Sequence, residues 1–570
     1  MLEFLLYLIS GVGYGLYFDL NLLETVLAGA LLLCVFRGWT PRFSLRPFWR
    51  RWVRLALRKK TAVAAVFFFA LASRAALLPW FPIPRPAIAD EFSHLLLADT
   101  LAHGHLTNPT HPMWEHFESI HIIQKPTYNS DYFPGQGAVL ALGELAGNPW
   151  IAVWVLCAAM CAALCWMLQA WVPPPWALLA GVLAVLRFGI ASYWINGYYG
   201  GSLAALGGAL VLGAYPRLRK KPSLGMSLLL GAGIVMIGYT RAFEGLAVSV
   251  PVLAALAWAA LKKRSPLWTL LPAGAVILAG IAGLMLYSCA VTGNPLRPPY
   301  TVNQATYGWP MTLPWFHPPD VQLRNVELRR YYDYERDVHD QSDSVLGELK
   351  LSTLKAQGIW RFYFGPALSI SLVMLPAVWR SRRLRLLLLC AGLTVLLSLI
   401  ETGTSPHYAA AATGCFLGLI VECFRRLRAY RRNGRPIGWQ LIVAAPLILV
   451  LILAVRIGLE KLGLPYTQAV NFQSWCCVPE SNPNKARVTA MLDAKGGKHL
   501  VIVEPKTDPN NLFQWIYNAA NIDASPIVWA RDLGPEKDQA LIQYFRGRQI
   551  WRLNPNVEPA SIVPYSQAKR

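Results

Sequence analysis

Residues 150–171 read WIAVWVLCAAMCAALCWMLQAW, without one charged side chain. A helix of that length spans about 30 Å, the hydrocarbon thickness of a bilayer, so the segment is predicted to cross a membrane. Cys157, Cys161 and Cys165 recur every four residues along one of its faces, where small side chains let helices approach closely. Outward from this stretch, apolar blocks of roughly 17 to 24 residues recur along the chain. With 55% hydrophobic residues, a mean hydropathy of +0.36 and only 15% charged residues, the composition excludes an ordinary soluble enzyme.

The net charge of +22 invites a nucleic-acid reading, and the placement of the charges removes it. Arg37 to Lys60, Arg217 to Lys221, Lys262 to Arg264, Arg380 to Arg385 and Arg425 to Arg435 are short loops between apolar blocks. They hold 26 of the 53 basic residues. Basic residues in short loops mark the cytoplasmic side of a membrane, so they encode topology. The ten cysteines form no disulfide or zinc framework. Cys476 and Cys477 are adjacent, and a disulfide or a lipid role is open to them. The start, MLEFLLYLIS, lacks a basic region and reads as a retained membrane segment.

With every basic loop in the cytoplasm, the fold class is a polytopic α-helical membrane protein. Residues 1–60 form a hydrophobic hairpin, broken near Asp19, and a basic linker. About eleven spans are expected within 61–458, near 61–80, 150–171, 175–194, 199–215, 223–240, 245–261, 267–290, 366–380, 386–400, 408–423 and 438–458. Outer loops fall at 81–149 and 291–365. Residues 459–570 read as an extracytoplasmic α/β domain, with strands at 500–503, 527–529 and 550–553, helices at 510–519 and 535–545, and a small parallel sheet. This domain has no glycine-rich phosphate loop.

The remaining unusual polar residues fall outside on this threading, although they played no part in building it. The first outer loop opens with DEFSHLLLADTLAHG, residues 90–104. Phe92, Leu95, Leu96 and Leu101 can line one face of a helix lying flat at the interface, interfacial helices being expected in this loop. Asp90 or Glu91 then offers a carboxylate at membrane depth, suited to act as a general base on an acceptor hydroxyl. The same pair also admits a structural role, Asp90 as the helix N-cap and Glu91 as an acidic first-turn residue. Arg241 follows an apolar helix and presents the planar fork that binds phosphate oxygens; it can equally snorkel or pair with Glu244. Arg297 and His407 are weaker phosphate candidates of the same kind. His94, Tyr128, Asn196, Tyr198, Tyr199, Glu244 and Tyr300 complete the expected substrate-binding set. Asp90, Glu91 and His94 can share a helical turn, so a divalent metal is open; they match no specific metal pattern.

At these residues the chain resembles the GT-C superfamily of polyprenyl-phosphate-dependent glycosyltransferases, which includes protein O-mannosyltransferases and aminoarabinose transferases of lipid A, and within it a bacterial branch. The likeness rests on the acidic pair Asp90 and Glu91, on interfacial helices in the first loop, and on its close at YFPGQGAVLALGEL, over about residues 61–460. Where that family usually has two prolines, this chain has Pro134 and Gly135. The resemblance implies an inverting transfer of a sugar from a polyprenyl-phosphate donor, a catalytic role at Asp90, and a lipid, glycan or protein acceptor. It further implies a bacterial inner-membrane location, with the site and the C-terminal domain in the periplasm. Besides donor and acceptor, membrane lipid is the expected partner, and nucleic acid is not. The alternative is a multi-pass transporter or flippase of a lipid-linked envelope precursor, but such proteins place their ionisable groups near the bilayer midplane.

Overall fold

A computed structural model describes residues 20–37, 46–262, 267–310, 313–403, 405–462, 473–477, 481–507 and 514–565. The expected break near Asp19 and the first segment of the N-terminal hairpin lie outside the described residues; its second half is the helix Asn21–Arg37. The chain is a multi-pass membrane protein. Among the described residues five helices are long and apolar enough to cross a bilayer: Pro149–Leu168, Ala242–Leu261, Trp268–Thr292, Pro406–Leu427 and Ile437–Leu459. Val345–Tyr363 and Gly365–Trp379, bent by 87°, make a sixth if the pair is one span.

This count is lower than the expected eleven, for identifiable reasons. Pro174–Phe188, Leu224–Gly238 and Arg385–Ile400 are apolar but short. Lys59–Ala76 and Ser202–Lys220 carry basic residues within their ends. The stretch expected as a straight span over 366–380 is instead Gly365–Ser369, a 3-10 segment Ile370–Met374 and Leu375–Trp379. Gly365 sits at the break with φ +60°, where a β-carbon would come within 2.6 Å of the Arg187 guanidinium. Only glycine takes that conformation without strain.

Burial sorts the spans by position. Pro406–Leu427 is 94% buried and runs through the middle of the bundle, whereas Trp268–Thr292 is 11% buried and presents Leu271, Leu278 and Leu286 outward, as a lipid-facing helix does. The polar ends are segregated as well. Ser202–Lys220, Ala242–Leu261 and Pro406–Leu427 each begin beside Gly201, Arg241 or His407 and end at a basic cluster; Leu224–Gly238 and Arg385–Ile400 run the other way. Basic loops therefore occupy one end of the bundle, and the polar residues singled out above gather at the other.

The helix predicted from Asp90 is Ala89–Ala102, and its N-cap is Ile88, not Asp90. Most of its residues are buried within the protein. Leu96 and Leu97 are buried, and Phe92 stacks on Tyr517 with ring centroids 4.3 Å apart. The loop continues through a small antiparallel sheet of Asn108–Pro109, Thr127–Ser130 and Ile122–Ile123 to the helix Pro134–Leu145.

The C-terminal strands run in the order Ile527–Arg531, His499–Val503, Gln549–Asn554 and Ser561–Pro564. The first three are parallel, as expected; the last pairs antiparallel, so the sheet is mixed. Helix Pro535–Tyr544 stands where predicted. The one expected over 510–519 does not: residues 514–519 have no helical structure, and 508–513 lie outside the described residues. Helix Pro483–Lys495 packs on the sheet instead, burying Val488 and Leu492. Leu500, Ile502 and Val528 of the sheet share one apolar core with Leu96 and Phe117 of the first outer loop and Leu328 and Tyr332 of the second.

Candidate functional site

The polar end of the bundle opens into a cavity of about 850 Å³, and its position follows from how the chain reaches the Ala89–Ala102 helix. Arg74, buried at the end of its own helix, donates to the carbonyls of Phe81 (2.7 Å) and Pro82 (3.1 Å) and to Asn196 Oδ1 (2.9 Å). Tyr198 donates its hydroxyl to the Pro84 carbonyl at 2.8 Å. Glu91 completes the clamp: Oε2 accepts from the backbone N–H of Ala87 (2.7 Å) and Ile88 (3.2 Å), and Oε1 from that of Tyr198 (3.0 Å). Glu91, Asn196 and Tyr198 thus tie the WINGYYGG turn to the start of the helix, and this holds Asp90 at the cavity wall. Burial pushes the Glu91 carboxyl up to about 7, although its three backbone donors oppose the shift.

Asp90 lines the cavity and accepts a 2.7 Å hydrogen bond from the Tyr132 hydroxyl. His94, one turn on, stacks on the Tyr132 ring at 4.6 Å. Burial drives the His94 imidazole down to about 3, with Asp90 opposing and Arg241 adding to the shift, so it is neutral at ordinary pH. His121 also lines the cavity, in a left-handed backbone conformation with φ +61°. Its Nδ1 meets Asp131 at 3.1 Å and its Nε2 the Tyr331 hydroxyl at 3.0 Å, and Asp131 is held in turn by Asn303 at 2.7 Å. A strained non-glycine residue held from both sides is the kind of feature that clusters at functional sites.

Arg241 reaches the same cavity from the N-terminus of Ala242–Leu261. Its guanidinium lies 4.0 Å over the Tyr408 ring, 3.9 Å from Glu244, and against His407 Nε2. Arginine only donates, so His407 Nε2 is the acceptor and Nδ1 carries the proton toward the Tyr193 hydroxyl, 3.1 Å away. His407 thereby orients Arg241. The arginine side chain keeps 24% of its surface exposed, enough to meet a ligand in the cavity.

Of the predicted residues, the cavity brings together Asp90, His94, Tyr199, Arg241, Glu244, Tyr300 and His407. Arg297 is exposed on the loop after the Trp268–Thr292 span. Tyr128 is buried and donates to the Asn518 carbonyl at 3.1 Å, toward the C-terminal domain. The three-ligand turn of Asp90, Glu91 and His94 is not assembled, because both Glu91 oxygens face backbone donors. Another ligand group is present: His317, His339 and Asp340 place one ligand atom each within 4.8 Å of one another.

The sequence reading missed Tyr132, the His121–Asp131 pair, Tyr331, Glu335 and Glu401, all of which line the cavity. Three of these left a signal. Tyr331 and Glu335 are four apart on the helix Val326–Asp340, a spacing that puts both on one face, and Glu401 adjoins the TGTSPHY segment.

No family model matches the sequence, and no curated protein matches it. Among solved structures it is similar to the apo form of the Archaeoglobus fulgidus oligosaccharyltransferase, with a TM-score of 0.43 and 11% identity over 80% of this chain and 63% of that one. The chain thus spans less than two thirds of that protein's length. It is similar also to the archaeal oligosaccharyltransferase AglB from Archaeoglobus fulgidus in complex with an inhibitory peptide and a dolichol-phosphate, with a TM-score of 0.42 and 10% identity over 90% of this chain and 70% of that one. A third likeness is to the Archaeoglobus fulgidus enzyme tethered with an acceptor peptide containing the NVT sequon, at 0.43 and 11% over 86% of this chain and 68% of that one.

Proposed function

We propose that the chain is a membrane glycosyltransferase of the GT-C type, transferring a sugar with inversion from a polyprenyl-phosphate donor to an acceptor hydroxyl on a lipid, glycan or protein. The observation that carries this reading is the opening of Asp90 and Arg241, far apart in sequence, into one cavity at the end of the bundle remote from the basic loops. Under the positive-inside rule that end is extracytoplasmic, which for a bacterial inner membrane is the periplasm.

In this mechanism Asp90, oriented by Tyr132, takes the proton from the acceptor hydroxyl. The acceptor oxygen attacks the anomeric carbon while the bond from that carbon to the phosphate oxygen breaks. Negative charge then grows on the departing polyprenyl phosphate, where Arg241 stabilises it. His407 and the Tyr408 ring hold Arg241 in place for this task. Glu91 is a positioning residue for Asp90.

Purified protein incubated with a panel of polyprenyl-phosphate sugars and read by mass spectrometry tests the class. Release of polyprenyl phosphate together with a glycosylated acceptor is the expected result. Movement of intact donor across a vesicle membrane without its consumption would replace the transferase with a flippase.

A further inference from the structure

We infer that His317, His339 and Asp340 form a site for a divalent transition-metal cation of the zinc class, separate from the carboxylate of the first outer loop. Each contributes one ligand atom, and the three atoms lie within 4.8 Å of one another, close enough to converge on a single ion.

His339 supplies an independent reason. It is in the last turn of the Val326–Asp340 helix and is wholly buried, yet its Nε2 has no hydrogen-bond partner among the described residues. Its Nδ1 stands 3.3 Å from Asp340 Oδ1, and its ring meets that of His317 edge to face, with centroids 5.8 Å apart. A buried imidazole nitrogen left unpartnered is costly; an ion at Nε2, met by the exposed Asp340 carboxylate once turned away from Nδ1, would remove that cost.

The donor set selects the ion. Two imidazoles and a carboxylate suit zinc and its neighbours, whereas calcium and magnesium prefer oxygen ligands throughout. His317 comes from the irregular stretch before the helix and His339 from the helix end. A bound ion would therefore tie the second outer loop across its own length. Both imidazoles line the cavity that holds Asp90 and Arg241, so this tie fixes one wall of the candidate site. Metal binding at these three residues does not depend on what reaction the cavity performs.

The test uses the full-length protein in detergent, stripped of metal and titrated with Co²⁺, whose visible absorption reports histidine coordination, followed by displacement with Zn²⁺. One equivalent of Co²⁺ is expected to bind and to be displaced by Zn²⁺, with Zn²⁺ also raising the thermal midpoint. His317 is exposed, so His317→Asn leaves folding intact; it should weaken Co²⁺ binding by about tenfold or more. His339→Gln should do the same, and Asp90→Asn should bind Co²⁺ as the wild type does. Absence of Co²⁺ binding in the wild type, undiminished binding in His317→Asn, or loss of binding in Asp90→Asn would each overturn the assignment.

Discussion

Glu91 shows how much a single side chain's partners alter its reading. In the sequence it stands beside Asp90 as an equal carboxylate; in the structure both its oxygens face backbone N–H groups while Asp90 faces the cavity. Nothing in the local sequence separates the two, because the donor on Tyr198 arrives from more than one hundred positions away. Glu91→Gln puts an amide NH₂ against backbone donors, and is expected to lower stability by about 1–3 kcal/mol, read by thermal unfolding in detergent. The pH dependence has a definite sign. The Glu91 carboxyl titrates near 7 when folded and near 4.5 when unfolded, so the unfolded chain loses this proton first. Stability from this group therefore falls as pH rises from about 4.5 to about 7 and is level above that, a component that Glu91→Gln removes. Arg241→Ala should weaken donor binding by about 10- to 100-fold, as loss of a charge-assisted phosphate contact does. Titration of the purified variant with donor checks it, and an unchanged affinity would leave Arg241 a structural role.

At the scale of elements, the close approach of two helices carries the site. Helix Ser202–Lys220 lies against the 3-10 segment Pro406–Ala412, so tightly that a β-carbon on Gly208 would stand 1.9 Å from the Ala411 carbonyl oxygen. That segment also bears His407, which orients Arg241. Gly208→Ala is therefore predicted to destabilise by about 1–3 kcal/mol and to weaken donor binding in parallel, measured on the same preparation. The sequence disclosed where these helices stand, because uninterrupted apolar runs and basic loops are strong local signals. It did not disclose the Gly365 break or the contact at Gly208. A small residue in an apolar run reads the same whether it packs against lipid or against another backbone. The N-cap at Ile88 was hidden for a related reason: an aspartate before an apolar run suggests a cap, but here a glutamate side chain supplies the acceptor for the first turn.

For the whole molecule, the legible part was the polarity of the bundle, with basic loops at one end and carboxylates, arginine and aromatic residues at the other. The parallel core of the C-terminal sheet was legible too, from three short apolar runs. Its integration was not. Tyr517, Ile502 and Val528 belong to the same core as Leu96 and Phe117, and Glu327 of the second outer loop pairs with Arg531 of the sheet at 2.5 Å. A composition change near residue 459 suggests an appended module, whereas contacts between distant segments make it the roof of the loops that form the cavity. The account as a whole rests on Asp90 acting upon a lipid-phosphate sugar bound beside Arg241. Its most direct test compares wild type and Asp90→Asn for donor turnover and donor binding under the same conditions. The prediction is a fall in turnover of at least about 100-fold with donor affinity nearly unchanged. Transfer by Asp90→Asn at the wild-type rate would contradict it.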